Sequence, residues 1–127
     1  MSATENLAKT ESAATLARRI RRKEISPVEL LEACIARIER INPAVNAVTA
    51  TCYDRARGEA RAAEKAALRG DPLGLLHGLP CGIKDLDETA GLLTTYGSPL
   101  YRDFVPERDN AMVARVRAAG AIVVGKT

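Results

Sequence analysis

Apolar residues recur at helical spacing in four stretches of the chain, and three short runs between and after them read as strands. In the first stretch Ala13, Leu16, Ala17 and Ile20 stand three and four residues apart behind Ser12, which predicts a helix with a serine cap. The basic run Arg18, Arg19, Arg21, Arg22, Lys23 closes it, and positive charge at a helix C-terminus reads as a solvated, dipole-compatible end. The second helix has the clearest start: Ser26 as cap, Pro27 in the first position, and Glu29 placed to complete a capping box. Ile25 and Leu30 stand where a hydrophobic staple would sit. Leu31, Cys34, Ile35 and Ile38 continue the apolar face, which makes Cys34 a small core residue, and Asn42-Pro43 is expected to end the helix.

Val45 to Thr51, rich in Val and Thr, predicts a short strand. From Tyr53 to Leu68 the helical pattern returns, with Ala56, Ala60, Ala63 and Ala67 on one face, dense mixed charge on the other, and Gly70-Asp71-Pro72 as the stop. Leu79 to Lys84 reads as a strand. A fourth helix is expected from about Asn110 to Ala119, with Met112, Val113 and Val116 inward and Gly120 as its C-terminal cap. Ala121-Ile122-Val123-Val124 then has the pattern of a buried strand. Helix, tight glycine turn and apolar strand in succession predict an α/β fold, a mixed sheet covered by helices.

Length and composition narrow the chemistry. The 127 residues suit one domain, and 46% hydrophobic with 28% charged residues is globular composition. Aromatics are Tyr53, Tyr96, Tyr101 and Phe104 only, so the core rests on Ala, Leu, Val and Ile, and stacking platforms for nucleic acid are not expected. A net charge of +3 is too mild to imply a nucleic-acid partner, and no apolar run is long enough to span a bilayer. The opening Met-Ser-Ala-Thr-Glu-Asn has no basic-then-apolar leader pattern, and Cys34, Cys52 and Cys81 form no C-x-x-C. Together these point to reduced thiols and a cytoplasmic protein. His77 is the single histidine, so neither a multi-histidine metal site nor a Ser-His-Asp triad is expected, and no cofactor is called for.

The densest information lies between Gly74 and Ser98. Gly74-Leu75-Leu76-His77-Gly78-Leu79-Pro80-Cys81-Gly82-Ile83-Lys84-Asp85 packs three glycines within an apolar stretch before Lys84. Glycine inside a strand marks a close approach of another backbone or a ligand. On a strand Gly82 and Lys84 share one face, while Cys81 and Ile83 share the other. A lysine at the end of a buried strand is costly unless it has partners or a lowered pKa, the two conditions that make catalytic lysines; on pattern alone a solvated strand end remains open.

This segment, followed by Ala90-Gly91, Thr94-Thr95, Gly97-Ser98, Val105-Pro106 and Ala118-Ala119-Gly120-Ala121 to Gly125-Lys126-Thr127, resembles the amidase signature family. Ser26-Pro27-Val28-Glu29-Leu30 and Asn42-Pro43-Ala44-Val45-Asn46-Ala47 are similar to the family's N-terminal region. In that family a Ser-cisSer-Lys triad hydrolyses or transfers amides, and its lysine lies in the segment matching Ile83-Lys84-Asp85. The resemblance therefore implies that Lys84 is catalytic: a neutral lysine accepts a proton from the bridging serine, which activates the nucleophilic serine. Asp85 is expected to fix the strand end or pair locally, and His77 and the Thr94-Thr95 turn to be structural. The glycine- and serine-rich segment holding the two serines lies downstream of the match to Gly125-Lys126-Thr127 in family members. Residues 1–127 are thus expected to form the N-terminal portion of a single, truncated amidase domain, inactive by itself. The implied substrate is a small-molecule amide, with no nucleic-acid or membrane partner. The alternatives are the amide-transferring subunit of an aminoacyl-tRNA amidotransferase and a non-catalytic interaction module built on the charged helix from Asp54 to Arg69.

Two other patterns are set aside. Gly120 to Thr127 matches the P-loop pattern G-x-x-x-x-G-K-T, but a P-loop needs a strand before it, a flexible cradle, and a helix after the Lys-Thr. Here a helix precedes and the interior is an apolar strand. Cys81 as a thiol nucleophile beside Lys84 fails on alternation, unless a bulge at Gly82 turns it.

Overall fold

The structure, a computed structural model, describes residue 6 and residues 10–127. The leader reading rests on residues 1–6, of which 1–5 lie outside the described residues. Helix α1 (Ala13–Arg21) starts where Ser12 accepts a hydrogen bond from the Thr15 amide at 3.2 Å, and it buries Leu16, Ala17 and Ile20. Helix α2 (Pro27–Val45) is capped by the Ser26 hydroxyl, which accepts from the Val28 and Glu29 amides at 3.0 and 3.4 Å. That hydroxyl donates its own proton to Glu64, so the cap also ties α2 to the next helix. Ile25 and Leu30 are buried in one cluster with Leu16, Ile20 and Leu79, as the staple requires.

Helix α2 does not stop at Asn42-Pro43. It continues to Val45 and ends on Asn46 in the left-handed conformation, whose amide donates to the Asn42 carbonyl at 2.7 Å. Proline removes a single hydrogen bond, and so near the end of a helix the disruption is small. The extension consumes the start of the expected strand. The Asn42 side chain then pairs with both backbone groups of Val48, at 2.8 and 2.9 Å, and strand β1 shrinks to Ala50–Thr51.

Helix α3 (Tyr53–Arg69) buries Ala56, Ala60, Ala63 and Ala67. These small residues let it lie close against Leu31 and Ile35 of α2 and against Ile122 and Val124. Strands β2 (Pro80–Ile83) and β3 (Ile122–Lys126) complete a mixed sheet of order β1-β3-β2, antiparallel on one side of β3 and parallel on the other. The opposite face packs Ile83 and Val123 against Leu92 and Val113. Helix α4 (Ala111–Ala118), capped by Asn110 onto the Val113 amide at 2.9 Å, supplies Val113. Its expected inward Met112 is instead 43% exposed, because Val113, the next residue and about 100° further round the helix, is the one that meets the core.

Strand β3 runs two residues past the expected Val124, and all five of its residues are buried. The turn before it needs Gly120: φ is +95°, and a Cβ there would lie 2.7 Å from His77 Cα. Across this turn Leu76 and Gly78 donate to the carbonyls of Ala119 and Gly120, both at 2.9 Å. His77 Nε2 stands 2.9 Å from the Ala63 carbonyl, so the histidine joins this loop to α3.

Candidate active site

Lys84 follows the last residue of β2. Its backbone is bracketed by Thr127, whose amide donates to the Ile83 carbonyl at 2.9 Å and whose carbonyl accepts from the Asp85 amide at 2.8 Å. The Lys84 carbonyl accepts from the Asp87 amide at 3.0 Å, which starts a turn. Asp85 accepts from the Thr95 amide at 2.9 Å and from the Thr95 hydroxyl. The carboxylate thus pairs with the Thr94-Thr95 turn. Lys84 itself is exposed, on the face it shares with Gly82 and opposite the buried Ile83. A groove of about 420 Å³, lined by Pro80, Cys81, Gly82, Val124 and the α2 residues Cys34, Arg37 and Ile38, lies beside β2, and Lys84 is not part of its lining.

The burial expected at Lys84 is found at another lysine. Lys126, at the end of β3, is 0% exposed. Its amine donates to the Asp87 carbonyl, to Thr89 Oγ1 at 3.0 Å and to Thr94 Oγ1 at 3.1 Å. Burial pulls its pKa below the ordinary lysine value, against the opposing pull of the Asp85, Asp87 and Asp109 carboxylates. In the sequence this residue appears in the family resemblance, as part of Gly125-Lys126-Thr127, and as the tail of a rejected P-loop pattern, with no role assigned to it. The signal available was a lysine continuing an all-apolar strand. As expected, the four residues between Gly120 and Gly125 form no phosphate cradle: three of them, Ile122 to Val124, lie in the extended strand.

Cys81 does not join Lys84. The register slips between Cys81 and Gly82, but the residue skipped is Val124 on β3, so alternation along β2 persists. Cys81 packs on the Ile83, Leu92, Val113 and Val123 cluster, and burial raises its pKa, which keeps the thiol protonated. In a protein of family length carrying this sequence, Cys81→Ala is therefore expected to leave amide turnover within about threefold, since strand alternation turns the thiol away from Lys84. Loss of turnover at unchanged thermal stability would revive a thiol nucleophile. Burial raises the pKa of Cys34 and Cys52 as well, and all three cysteines are free.

Among the described residues no helix is long and apolar enough to cross a membrane.

Residues 29–127 match the family model described as Amidase. Among curated proteins the chain is 44% identical over 104 residues to a glutamyl-tRNA(Gln) amidotransferase subunit from Anaeromyxobacter dehalogenans, covering 82% of this chain and 21% of the relative. It is 40% identical over 107 residues to a putative amidase, AmiD, from Mycobacterium tuberculosis, covering 84% of this chain and 22% of that one. Among solved structures the peptide amidase from Stenotrophomonas maltophilia superimposes with a TM-score of 0.86 at 33% identity, over 97% of this chain and 25% of that one. The chain thus spans about a fifth of the length of the curated relatives it matches. With a family match that begins in α2, runs through the Lys84 strand and ends on β3, the chain belongs to the amidase signature family.

Proposed function

We propose that these residues supply the lysine of an amidase that cleaves a carboxylic amide through an acyl-enzyme, with Lys84 as the base. The observation that carries the reading is the placement of Lys84. It stands exposed just past the end of β2, with its backbone held on both sides by Thr127. In this reading the bridging and nucleophilic serines come from outside the 127 residues. Lys84, as the neutral amine, takes a proton from the bridging serine, which takes one from the nucleophile as that serine attacks the amide carbonyl. The proton returns to the departing amine, and water then releases the acid. No cofactor or metal enters these steps, and three free thiols support a cytoplasmic setting.

A second reading is supported by the 44% identical relative: amide transfer to misacylated tRNA, as one subunit of a larger enzyme. The deciding experiment uses a protein of family length carrying this sequence. It measures ammonia or amine release from simple carboxylic amides and labelling by a serine-directed fluorophosphonate. Release by the protein alone, blocked by labelling, is the expected result. Glutamine cleavage that requires partner subunits and misacylated tRNA would favour transfer. Absence of both turnover and labelling would overturn the catalytic reading in favour of an interaction module.

A further inference from the structure

Among the described residues Thr89, Thr94 and Lys126 are the buried polar residues of the core, and they form a single hydrogen-bonded cluster. We propose that Lys126 is a positioning residue for Lys84: its buried amine folds the loop of residues 85–95 onto the end of β3 and thereby sets the strand end that carries Lys84. The inference rests on Lys84 being the base.

The hydrogen bonds define the state of the amine. The Thr89 hydroxyl donates to the Asp87 carbonyl and the Thr94 hydroxyl to the Leu92 carbonyl, both at 3.1 Å. Each hydroxyl has therefore committed its proton and faces Lys126 as an acceptor. With the Asp87 carbonyl, the amine meets three acceptors. An ammonium offers three protons, whereas a neutral amine would turn its lone pair toward one of these oxygens. Three converging acceptors suit an ammonium at Lys126, which makes it a poor candidate for a base.

Its position also keeps it from the reacting atoms. Ile83 pairs with Lys126 across the ladder, so Lys126 lies on the buried side that Ile83 faces, while Lys84 points to the other. The link to Lys84 runs through neighbours in the chain. Thr127, next to Lys126, holds the backbone on both sides of Lys84, and Thr95, next to Thr94, holds the carboxylate of Asp85. Both flanks of Lys84 are thus fastened to residues adjoining the ammonium cluster.

The test compares Lys126→Met, Thr94→Val and Thr94→Ser in a protein of family length carrying this sequence, with Lys84→Ala in parallel. Valine keeps the volume of threonine and removes the acceptor; serine keeps the acceptor and removes a methyl group. Lys126→Met and Thr94→Val are expected to lower kcat about tenfold or more with KM within about threefold, because small misplacements of a catalytic group cost rate. Thr94→Ser is expected to retain kcat within about threefold despite the lost methyl. If Lys126→Met does not fold, the threonine pair decides alone. Equal loss of kcat in Thr94→Val and Thr94→Ser, or no loss in Thr94→Val, overturns the positioning role while Lys84→Ala remains inactive. Turnover retained in Lys84→Ala overturns the base assignment, and the positioning role with it.

Discussion

In a protein of family length carrying this sequence, Lys84→Ala is expected to reduce amide turnover by about a thousandfold or more if Lys84 is the proposed base, because members of a catalytic relay act as a unit and loss of one disables the rest. The fold should be indifferent to the change. Lys84 is exposed and lies just past the last residue of β2, so truncation opens no cavity, and surface substitutions of this kind stay within about 0.5 kcal/mol. The backbone bonds that bracket the position, Thr127 to Ile83 and Asp85 to Thr127, involve no side-chain atom of Lys84. Lys84→Arg is expected to fail equally, since a guanidinium keeps its proton at any working pH and cannot receive one. Steady-state kinetics on a simple amide, read beside a denaturation midpoint, makes the check. Near-wild-type turnover in Lys84→Ala would remove the residue from the chemistry.

The same substitution, glycine to alanine, is expected to have opposite effects at two places. At Gly125, in the central strand, an added Cβ would lie 2.3 Å from the Ala50 carbonyl oxygen and 3.0 Å from Val48 Cγ1. The first of these is backbone and cannot swing aside. Strand β1 must then move off β3, at the cost of the Ala50–Lys126 and Thr51–Gly125 pairing. Overpacking a buried site of this kind should destabilise by about 3 kcal/mol. At Gly58, exposed in the interior of α3, a Cβ meets nothing within 4 Å. Alanine there removes the entropic cost of glycine in a helix and should stabilise by about 0.5–1 kcal/mol. Urea midpoints of the two variants in one background give both signs. A Gly125→Ala midpoint at or above the parent would mean that β1 is not held close against β3.

The local elements were legible in the chain because their causes are local. Ser12, Ser26 and Asn110 cap helices by bonding amides two or three residues ahead. The alanine stripe from Ala56 to Ala67 shows its buried face through spacing alone. The mixed α/β architecture followed from the same signals, and the proposal that Lys84 is the base rests on a motif resemblance, not on periodicity. Where a local rule competed with a neighbouring group, it lost. Pro43 did not end α2, because Asn46 and the Asn42 side chain satisfy the backbone beyond it, and β1 was shortened as a result. Only the tertiary structure decided which lysine is buried. Lys84 follows a strand and stays exposed, whereas Lys126 ends a strand flanked on both sides and is enclosed. The acceptors that make its burial tolerable come from residues 39, 37 and 32 positions earlier in the chain. A buried ammonium survives only where partners converge on it, and convergence over such separations is a property of the folded chain, which no window of a few residues can display.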